Sequence, residues 1–164
     1  MKVLYPDFQA HYEYEELVEP FYLQSEEIEF INRFRGDANR QMVAVLLKSL
    51  EHLGYFPSSL DEIPLEIRIF IVHQLNSLWD STEEYGWESG TRDRHLSEIR
   101  EFLGWTFLTP GKRQELIQWI GEVAFQNVGN EEELRNSVYC YLKKEKIELL
   151  AENELLRLIN STWY

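Results

Sequence analysis

The sequence has little cysteine and no long apolar run. Its single cysteine, Cys140, cannot form a disulfide within the chain, and we interpret it as a small buried residue of an aromatic helix. The most apolar stretch, IPLEIRIFIV at 63–72, contains Glu66 and Arg68 and is too short to span a membrane. The beginning of the chain, MKVLYPDFQAHYEYEE, is too acidic for a secretory signal peptide. We therefore expect a cytoplasmic protein with no membrane partner.

Patterns typical of catalytic and metal sites are also missing. The four histidines stand far apart, at positions 11, 52, 73 and 95, and none lies in an HExxH or CxxC frame. There is no glycine-rich phosphate loop, nucleophile elbow or spaced set of carboxylates. Acid-base pairs such as His95 with Glu98 arise by chance in a chain with 29 acidic residues. We predict no catalytic residues, no metal, no cofactor and no small-molecule substrate.

Positive charge is scarce and unevenly distributed. The formal net charge is -13. Residues 1–31, 58–88 and 114–164 are acidic, with net charges of -7, -6 and -4. Residues 32–57 and 89–113 each carry +2, and together they hold nine of the sixteen Lys and Arg residues. We call these two segments the first and the second basic island. If the chain binds an anion, we expect the anion to contact these two islands.

Apolar residues recur at helical spacing after residue 24, which predicts an all-α fold. The strongest helix has an apolar stripe from Val43 to Leu53, and Gly54 is a natural stop. No alternating strand pattern exceeds four or five residues. We predict a compact bundle of about seven helices. The other predicted helices run from Ser25 through Phe34, from Pro64 through Trp79, from Ser89 or Thr91 to Gly104, from Thr109 and Pro110 through Ala124, from Asn130 onward, and over residues 153–163.

Two stretches of the sequence resemble each other. LKSLEHLGYFP at 47–57 and LSEIREFLGWTF at 96–107 both end an amphipathic helix with Leu-Gly-aromatic. This similarity suggests two helix-turn-helix-like lobes, although Leu-Gly is a common helix ending and chance explains it as well. The predicted boundaries are an acidic N-terminal segment at 1–24, an all-helical domain at 25–164, and possible lobes at 25–84 and 89–164.

The first basic island contains RFRGDANR, which surrounds a Gly-Asp turn before the strongest helix. A helix N-terminus offers free N–H groups and the positive end of the dipole, so added arginines form a candidate phosphate clamp. Asp37, as the expected N-cap, opposes an anion there. The alternative is that the arginines are solvated or paired with nearby acids. The candidate binding residues are Arg33, Arg35, Asn39 and Arg40.

The second basic island contains RDRHLSEIREFLGW and the start of the next predicted helix. Arg94 and Glu98 have the spacing of a surface ion pair, and Arg92 is expected near the edge of the core. His95 suits a buried, hydrogen-bonded position as well as it suits phosphate binding. Basic residues at a helix start are disfavoured by the dipole, which favours an external anionic partner. The candidate residues here are Arg92, Arg94, His95, Arg100, Lys112 and Arg113.

The order of several motifs resembles the N-terminal domain of the Tn-three family of replicative transposases. These motifs are RFRGDANR, a helix ending in LGYFP, DEIP, Tyr85, RDRHLSEIREFLGW, LKKEKIEL and ELLRLI, and the likeness covers roughly residues 20–160. In that family the N-terminal region recognises the terminal inverted repeats of the element. A metal-dependent catalytic domain with an acidic triad lies far toward the C-terminus.

The resemblance implies a bacterial DNA-binding module for DNA transposition and recombination, separated from its catalytic machinery. Its implied partners are double-stranded DNA at the transposon ends and the rest of the transposase or a second protomer. The family's basic and polar motif positions fall on the candidates of RFRGDANR and RDRHLSEIREFLGW. The alternative is a protein-interaction or dimerisation module of the transposase that does not itself contact DNA.

Three features depart from the family's pattern. Gln41 stands where a leucine is expected and Leu150 where a proline is usual, and we expect both at loop or surface sites. The pI of about 4.7 is low for a protein that binds DNA.

Overall fold

The computed structural model describes residues 5–78, 85–87, 89–124, 126 and 129–163. The described residues form eight α-helices and no β-strand, which confirms the predicted all-α class. No described helix is both long and apolar enough to cross a bilayer. A 3₁₀ turn lies at Leu60–Glu62 and a π-helical turn at Ile120–Ala124. The helices are α1 (Tyr14–Phe21), α2 (Ser25–Ile31), α3 (Asp37–Leu53), α4 (Leu65–His73), α5 (Gly90–Leu103), α6 (Pro110–Trp119), α7 (Glu131–Lys144) and α8 (Glu152–Trp163).

The chain divides into two compact units. The first unit is Phe8–Leu103, and the second comprises Met1–Asp7 with Gly104–Tyr164. Helix α5 belongs to the first unit, where it packs against α3. The predicted junction of the lobes, near residues 80–90, lies partly outside the described residues, which here are 85–87 and 89–90.

Helix α3 is the centre of the first unit. Every residue from Gln41 to Leu50 is buried, because α1, α2, α4 and α5 all pack against this helix or its neighbours. The predicted stop is confirmed: Gly54 has φ 87° and donates its N–H to the carbonyl of Leu50 at 2.8 Å. Only glycine adopts this left-handed conformation without strain, so the helix ends where the sequence indicates.

Gln41 does not lie at a loop or surface site, so that expectation is wrong. Its side chain is buried on α3, and its amide nitrogen donates to the Ser77 hydroxyl at 2.9 Å and to the Leu78 carbonyl at 3.0 Å. The glutamine thereby satisfies polar groups of the segment that follows α4. A leucine here would fill the space and leave those groups without this donor.

Helix α1 lies within the predicted acidic N-terminal segment, where the sequence predicted no helix. Its start is stabilised by the Glu16 carboxylate, which accepts from the N–H of Glu13 at 2.9 Å. Leu17 and Phe21 are buried in the first unit. The helix therefore forms because its apolar face packs against α3 and α4. That face is hard to recognise in so acidic a sequence.

The helix starts that depend on a local cap are predicted well. The Thr109 hydroxyl accepts from Lys112 N–H at 3.3 Å at the start of α6, and Asn130 Oδ1 accepts from Glu133 N–H at 2.9 Å at the start of α7. Two predicted helix ends are wrong. Helix α2 stops at Ile31 rather than Phe34, and α4 stops at His73, before the left-handed Asn76.

The second unit is built on the buried faces of α6, α7 and α8. Tyr5, from the N-terminal segment of this unit, donates its hydroxyl to the Leu150 carbonyl at 2.6 Å and packs edge-on against Tyr139. Cys140 is exposed, so the expected buried role is wrong. The buried positions of α7 include Leu134, Val138 and Leu142, and residue 140 falls on the opposite side of this stripe.

Candidate functional site

The first unit brings the two basic islands together through a pair of aromatic rings. The ring of Phe34 lies edge-on to the ring of His95, with centroids 5.0 Å apart, and it makes a similar contact with Phe30 at 5.3 Å. Phe34 is flanked in sequence by Arg33 and Arg35, and His95 follows Arg94. The arginines on either side of this contact therefore belong to one region of the first unit.

Side chains from the first turn of α3 hold the loop that carries Arg33 and Arg35. Asn39 Nδ2 donates to the Arg35 carbonyl at 2.8 Å, and Arg40 Nε donates to the Phe34 carbonyl at 2.8 Å. Gly36, with φ 84°, makes the turn into the helix. Asn39 and Arg40 thus fix the loop conformation with groups that the sequence suggested for anion binding.

Asp37 is not the N-cap of α3, so this expectation is wrong. Gly36 occupies the N-cap position, and Asp37 is the first helical residue. Its carboxylate lies 3.9 Å from Arg40 Nη1, the limit of an ion pair. Asp37 places a negative charge at the helix N-terminus and stabilises the dipole, but it opposes an anion approaching along the helix axis.

Arg33 and Arg35 are the two residues of this loop whose charged side chains are available to bind a ligand. Both side chains are exposed, and neither forms an ion pair or a side-chain hydrogen bond with any residue in the described part of the chain. Because the backbone carbonyls of the loop are held by Asn39 and Arg40, the two guanidinium groups project from an ordered segment. Pre-ordering of this kind lowers the entropy cost of binding a phosphate.

Arg92 and Arg100 are used within the fold. Both are half-buried on α5. Arg92 donates to the Pro57 carbonyl at 2.7 Å and lies over the Trp87 ring at 5.2 Å. Arg100 lies over the Phe56 ring at 5.1 Å. These contacts attach α5 to the segment after α3, which agrees with the predicted position of Arg92 near the edge of the core.

His95 is buried, with 7% of its surface exposed. Its Nδ1 lies 2.8 Å from the Tyr85 hydroxyl, and the two rings are stacked. Burial lowers the pKa of His95 and raises the pKa of Tyr85. At neutral pH the ring is therefore uncharged and is hydrogen-bonded to the tyrosine hydroxyl, so His95 supports the aromatic contact without adding a positive charge.

Arg94 is exposed at the start of α5. It donates to the Thr91 hydroxyl at 3.3 Å, and in the described residues it forms no ion pair with Glu98, contrary to the predicted i, i+4 pair. Arg94 thus presents its charge to solvent beside the buried His95. We call Arg33, Arg35 and Arg94 the three-arginine surface.

The remaining predicted residues, Lys112 and Arg113, belong to the second unit. They lie in the first turn of α6, where Lys112 is half-buried and Arg113 is exposed. Arg113 lines a groove of about 460 Å³ together with Arg157, Glu154 and other residues of α8. Arg157 was not predicted. Its only signal in the sequence is its place in ELLRLI, one of the motifs that carry the family resemblance.

The first unit also contains a buried cluster of charged residues that the sequence did not predict. Lys48 on α3 lies 3.0 Å from a carboxylate oxygen of Glu27 on α2 and 3.3 Å from Glu51, and the side chains of Lys48 and Glu27 are almost fully buried. Burial, followed by the nearby Glu27 carboxylate, raises the pKa of Glu51 to about 7. The cluster joins α2 to α3 and so helps to position the loop between them. Sequence spacing cannot identify it, because its members pair across two helices.

Comparisons with known proteins give the context of this surface. A family model described as "Domain of unknown function (DUF4158)" matches residues 4–162. The transposase for transposon Tn1546 from Enterococcus faecium is 26% identical over 139 residues, which cover 85% of this chain and 14% of that protein. The transposase for transposon Tn21 from Escherichia coli is 26% identical over 144 residues, with 87% and 14% covered. The transposase for transposon Tn501 from Pseudomonas aeruginosa is 29% identical over 89 residues, with 54% and 9% covered.

The chain spans only about one seventh of the length of the Tn1546 and Tn21 transposases that it matches. These similarities confirm the predicted resemblance to Tn-three family transposases. Because the family model covers nearly the whole sequence, the chain belongs to the DUF4158 family and is related to an N-terminal domain of Tn-three family transposases.

Proposed function

We propose that this chain is the DNA-binding module of a transposase, that it recognises the terminal inverted repeats of the transposon, and that it contributes no catalytic residue. The observation that carries the proposal is the three-arginine surface. Arg33, Arg35 and Arg94 are exposed on both sides of the ordered Phe34–His95 contact. The similarity of the chain to transposases also supports the proposal.

The chemistry of the surface suits the DNA backbone. Guanidinium groups bind phosphate oxygens in a bidentate manner and keep their charge at any physiological pH. The proposal divides the predicted residues by role. Arg33, Arg35 and Arg94 contact phosphates. The positioning residues are Asn39, Arg40, Arg92, His95 and Arg100, whose hydrogen bonds and ring contacts hold the loop and α5.

Helix α3 cannot be the element that reads bases. Its residues from Gln41 to Leu50 are buried, so only its first turn and the half-buried Glu51 and His52 near its end reach the surface. Base recognition must come from an exposed helix face. We assign it to the face of α5 with Arg94 and Ser97, or to the first turn of α6 with Lys112 and Arg113.

The acidity of the chain sets the expected strength of binding. A net charge of -13 repels DNA at long range, so the affinity of the chain alone should be low and should fall steeply with salt. Further segments of a longer transposase, or a second protomer, would raise the affinity by binding the same DNA. We expect this assembly to act in the cytoplasm.

A titration tests the proposal. The chain is added to a fluorescently labelled duplex carrying the terminal inverted repeat and to a shuffled duplex of equal composition, at low and moderate salt. Arg35→Glu and Arg94→Glu should each weaken binding about tenfold or more, because each removes one phosphate contact and adds a repulsive charge. Lys144→Glu, on the exposed end of α7, makes the same change in net charge and is the matched control.

Three outcomes contradict the proposal. Equal affinity for the two duplexes would show that the chain does not recognise the repeat sequence. No binding at low salt would show that the chain does not bind DNA and would favour the protein-interaction alternative. An equal loss in Lys144→Glu and in the two arginine variants shows that only net charge matters. Circular dichroism of each variant confirms that the fold is intact.

A further inference from the structure

A groove between α1 and α4 exposes apolar side chains of the first unit. The groove has a volume of about 490 Å³. Tyr14, Val18 and Tyr22 form one wall, and Ile69 and Phe70 lie on the other. Tyr14 is 67% exposed, Tyr22 53%, Ile69 49% and Val18 41%. A contiguous apolar surface of this kind on a chain with 29 acidic residues is typical of a binding site.

The spacing on α1 shows that the exposed row is separate from the core. Leu17 and Phe21 are buried, whereas Tyr14 and Val18 are exposed on the neighbouring face of α1, and Tyr22, the extended residue directly after the helix, is exposed as well. Helix α1 is thus apolar on more of its circumference than its own packing uses. Tyr14 and Val18 lie about 6 Å apart along the helix axis, and Tyr22 extends the apolar surface beyond the end of α1.

The rim of the groove is acidic. Glu15 and Glu19 are exposed on the side of α1 next to Val18, whereas Glu16 lies on the far side, and this helix carries no Lys or Arg. Glu66 lines the groove itself, and its carboxylate accepts from the N–H of Tyr12 at 2.8 Å. That backbone hydrogen bond, with His11 nearby, lowers the pKa of Glu66, so the carboxylate is ionised at neutral pH. Of the two basic residues of α4, Arg68 donates to the Ile63 carbonyl within the fold, and His73 lines one end of the groove.

This combination of charge and shape selects one kind of partner. DNA and anionic lipid surfaces are repelled by the acidic rim. A second copy of the chain brings another net charge of -13, which opposes self-association through this face. A helix with apolar residues on one face and Lys or Arg on its flanks matches both the groove and the rim.

We propose that the α1–α4 groove binds a basic amphipathic helix of a partner protein. Apolar residues at i, i+4 and i+7 of that helix insert between Val18 and Ile69, and its basic flanks face the acidic residues of α1 and Glu66. This binding does not depend on DNA binding at the three-arginine surface, so either proposal can fail alone.

The experiment uses the 164-residue chain and three labelled helical peptides. The first carries leucines at i, i+4 and i+7 with lysines on the flanks. The second replaces the lysines with glutamates, and the third has the first peptide's composition in scrambled order. We expect micromolar binding of the first peptide by fluorescence anisotropy, and binding roughly tenfold weaker or less for the other two.

Two variants locate the binding site. Val18→Glu and Ile69→Glu should each weaken binding of the basic peptide about tenfold, since each places a charge in the apolar contact. Both changes make the chain more acidic, so non-specific charge attraction would instead strengthen binding. Leu78→Glu is the matched control, because Leu78 is an exposed apolar residue of the same unit that does not line the groove. It should leave peptide affinity unchanged.

Several results would overturn the proposal. They are equal binding of the basic and scrambled peptides, equal loss in Leu78→Glu and Val18→Glu, and no binding of any peptide. Sedimentation showing that the chain dimerises and that Val18→Glu abolishes the dimer would assign the groove to a second copy instead. Val18→Glu should leave the affinity for inverted-repeat DNA unchanged, which separates this test from that of DNA binding.

Discussion

The rings of Phe34 and His95 meet edge to face, with centroids 5.0 Å apart and planes at 89°. The two residues come from different basic islands, and their contact places the start of α5 beside the loop that precedes α3. Neither residue supplies a charge to the surface, yet the positions of Arg33, Arg35 and Arg94 depend on them. An aromatic contact thus organises the candidate DNA-binding surface.

Removing the Phe34 ring should loosen this surface. Phe34 is half-buried, so we expect Phe34→Ala to lower the free energy of unfolding by about 2 kcal/mol, less than for a fully buried phenylalanine. DNA affinity should fall several-fold even where the variant is folded. Urea unfolding followed by circular dichroism measures the first effect. Leu78→Ala, at an exposed site, should change stability by less than about 0.5 kcal/mol. Equal stability of Phe34→Ala and wild type would contradict the prediction.

The buried His95 should make the first unit sensitive to acid. Because burial lowers the pKa of His95 below 6.5, the unfolded chain binds a proton more readily than the folded chain. The stability contribution is therefore present above pH 6.5 and is lost as the pH falls toward the folded-state pKa. In His95→Gln the decline in stability between pH 7 and pH 5 should be smaller than in wild type.

The pKa of His11 is shifted in the opposite direction, so a His11 variant is the control for this measurement. Its hydrogen bond with Glu66 raises its pKa, so its contribution is present at low pH and is lost as the pH rises through the folded-state value. His11→Gln should therefore steepen the loss of stability on acidification. Chemical unfolding at several pH values measures both variants. An unchanged pH profile in His95→Gln would contradict the assigned burial effect.

Lys48 should be indispensable to the core unless its partner is replaced as well. Lys48→Met leaves the buried Glu27 without its cation, and we expect a loss of about 3–5 kcal/mol. The double variant Glu27→Leu with Lys48→Met removes both charges and should recover most of that loss. Urea unfolding of the single and double variants tests the pair. A loss below about 1 kcal/mol in Lys48→Met would show that the ion pair is not buried as described.

Glu51 should reduce stability at alkaline pH. Its pKa rises from 4.5 to about 7 on folding, so the folded chain retains a proton that the unfolded chain has released. The contribution is complete below pH 4.5 and is lost as the pH rises through 7. At pH 8.5 Glu51→Gln should therefore raise Tm by roughly 2–4 °C, a value reduced for the partial solvent exposure of Glu51. At pH 4 the variant and wild type should have similar Tm values, as measured by thermal unfolding.

The sequence predicts elements that are specified by nearby residues. Thr109, Asn130 and Gly54 cap the ends of their own helices, so the limits of these helices follow from local chemistry. Helix α1 depends on packing against α3 and α4, and its acidic sequence does not indicate that packing. Gln41 was misjudged for the same reason, since its hydrogen-bond partners lie after α4.

The candidate site shows a similar limit. Charge counting identified the two islands, and helical spacing placed Arg92 near the edge of the core, but all the arginines remained candidates for anion binding. The structure separates Arg92, whose guanidinium group contacts Pro57 and Trp87, from Arg94, which is exposed two positions away. That difference depends on which side of α5 packs against the rest of the first unit. Helical spacing indicated the side of α5 on which Arg92 lies, but not its partners Pro57 and Trp87.

The salt dependence of DNA binding tests the central proposal most directly. The slope of log K against log salt concentration is measured between about 50 and 200 mM salt on the inverted-repeat duplex, for wild type and for a variant with Arg33, Arg35 and Arg94 all changed to Gln. We predict that the magnitude of the slope falls by about 2–3, because each phosphate contact contributes about 0.9. A slope equal to that of wild type would contradict the assignment of these three arginines to DNA phosphates.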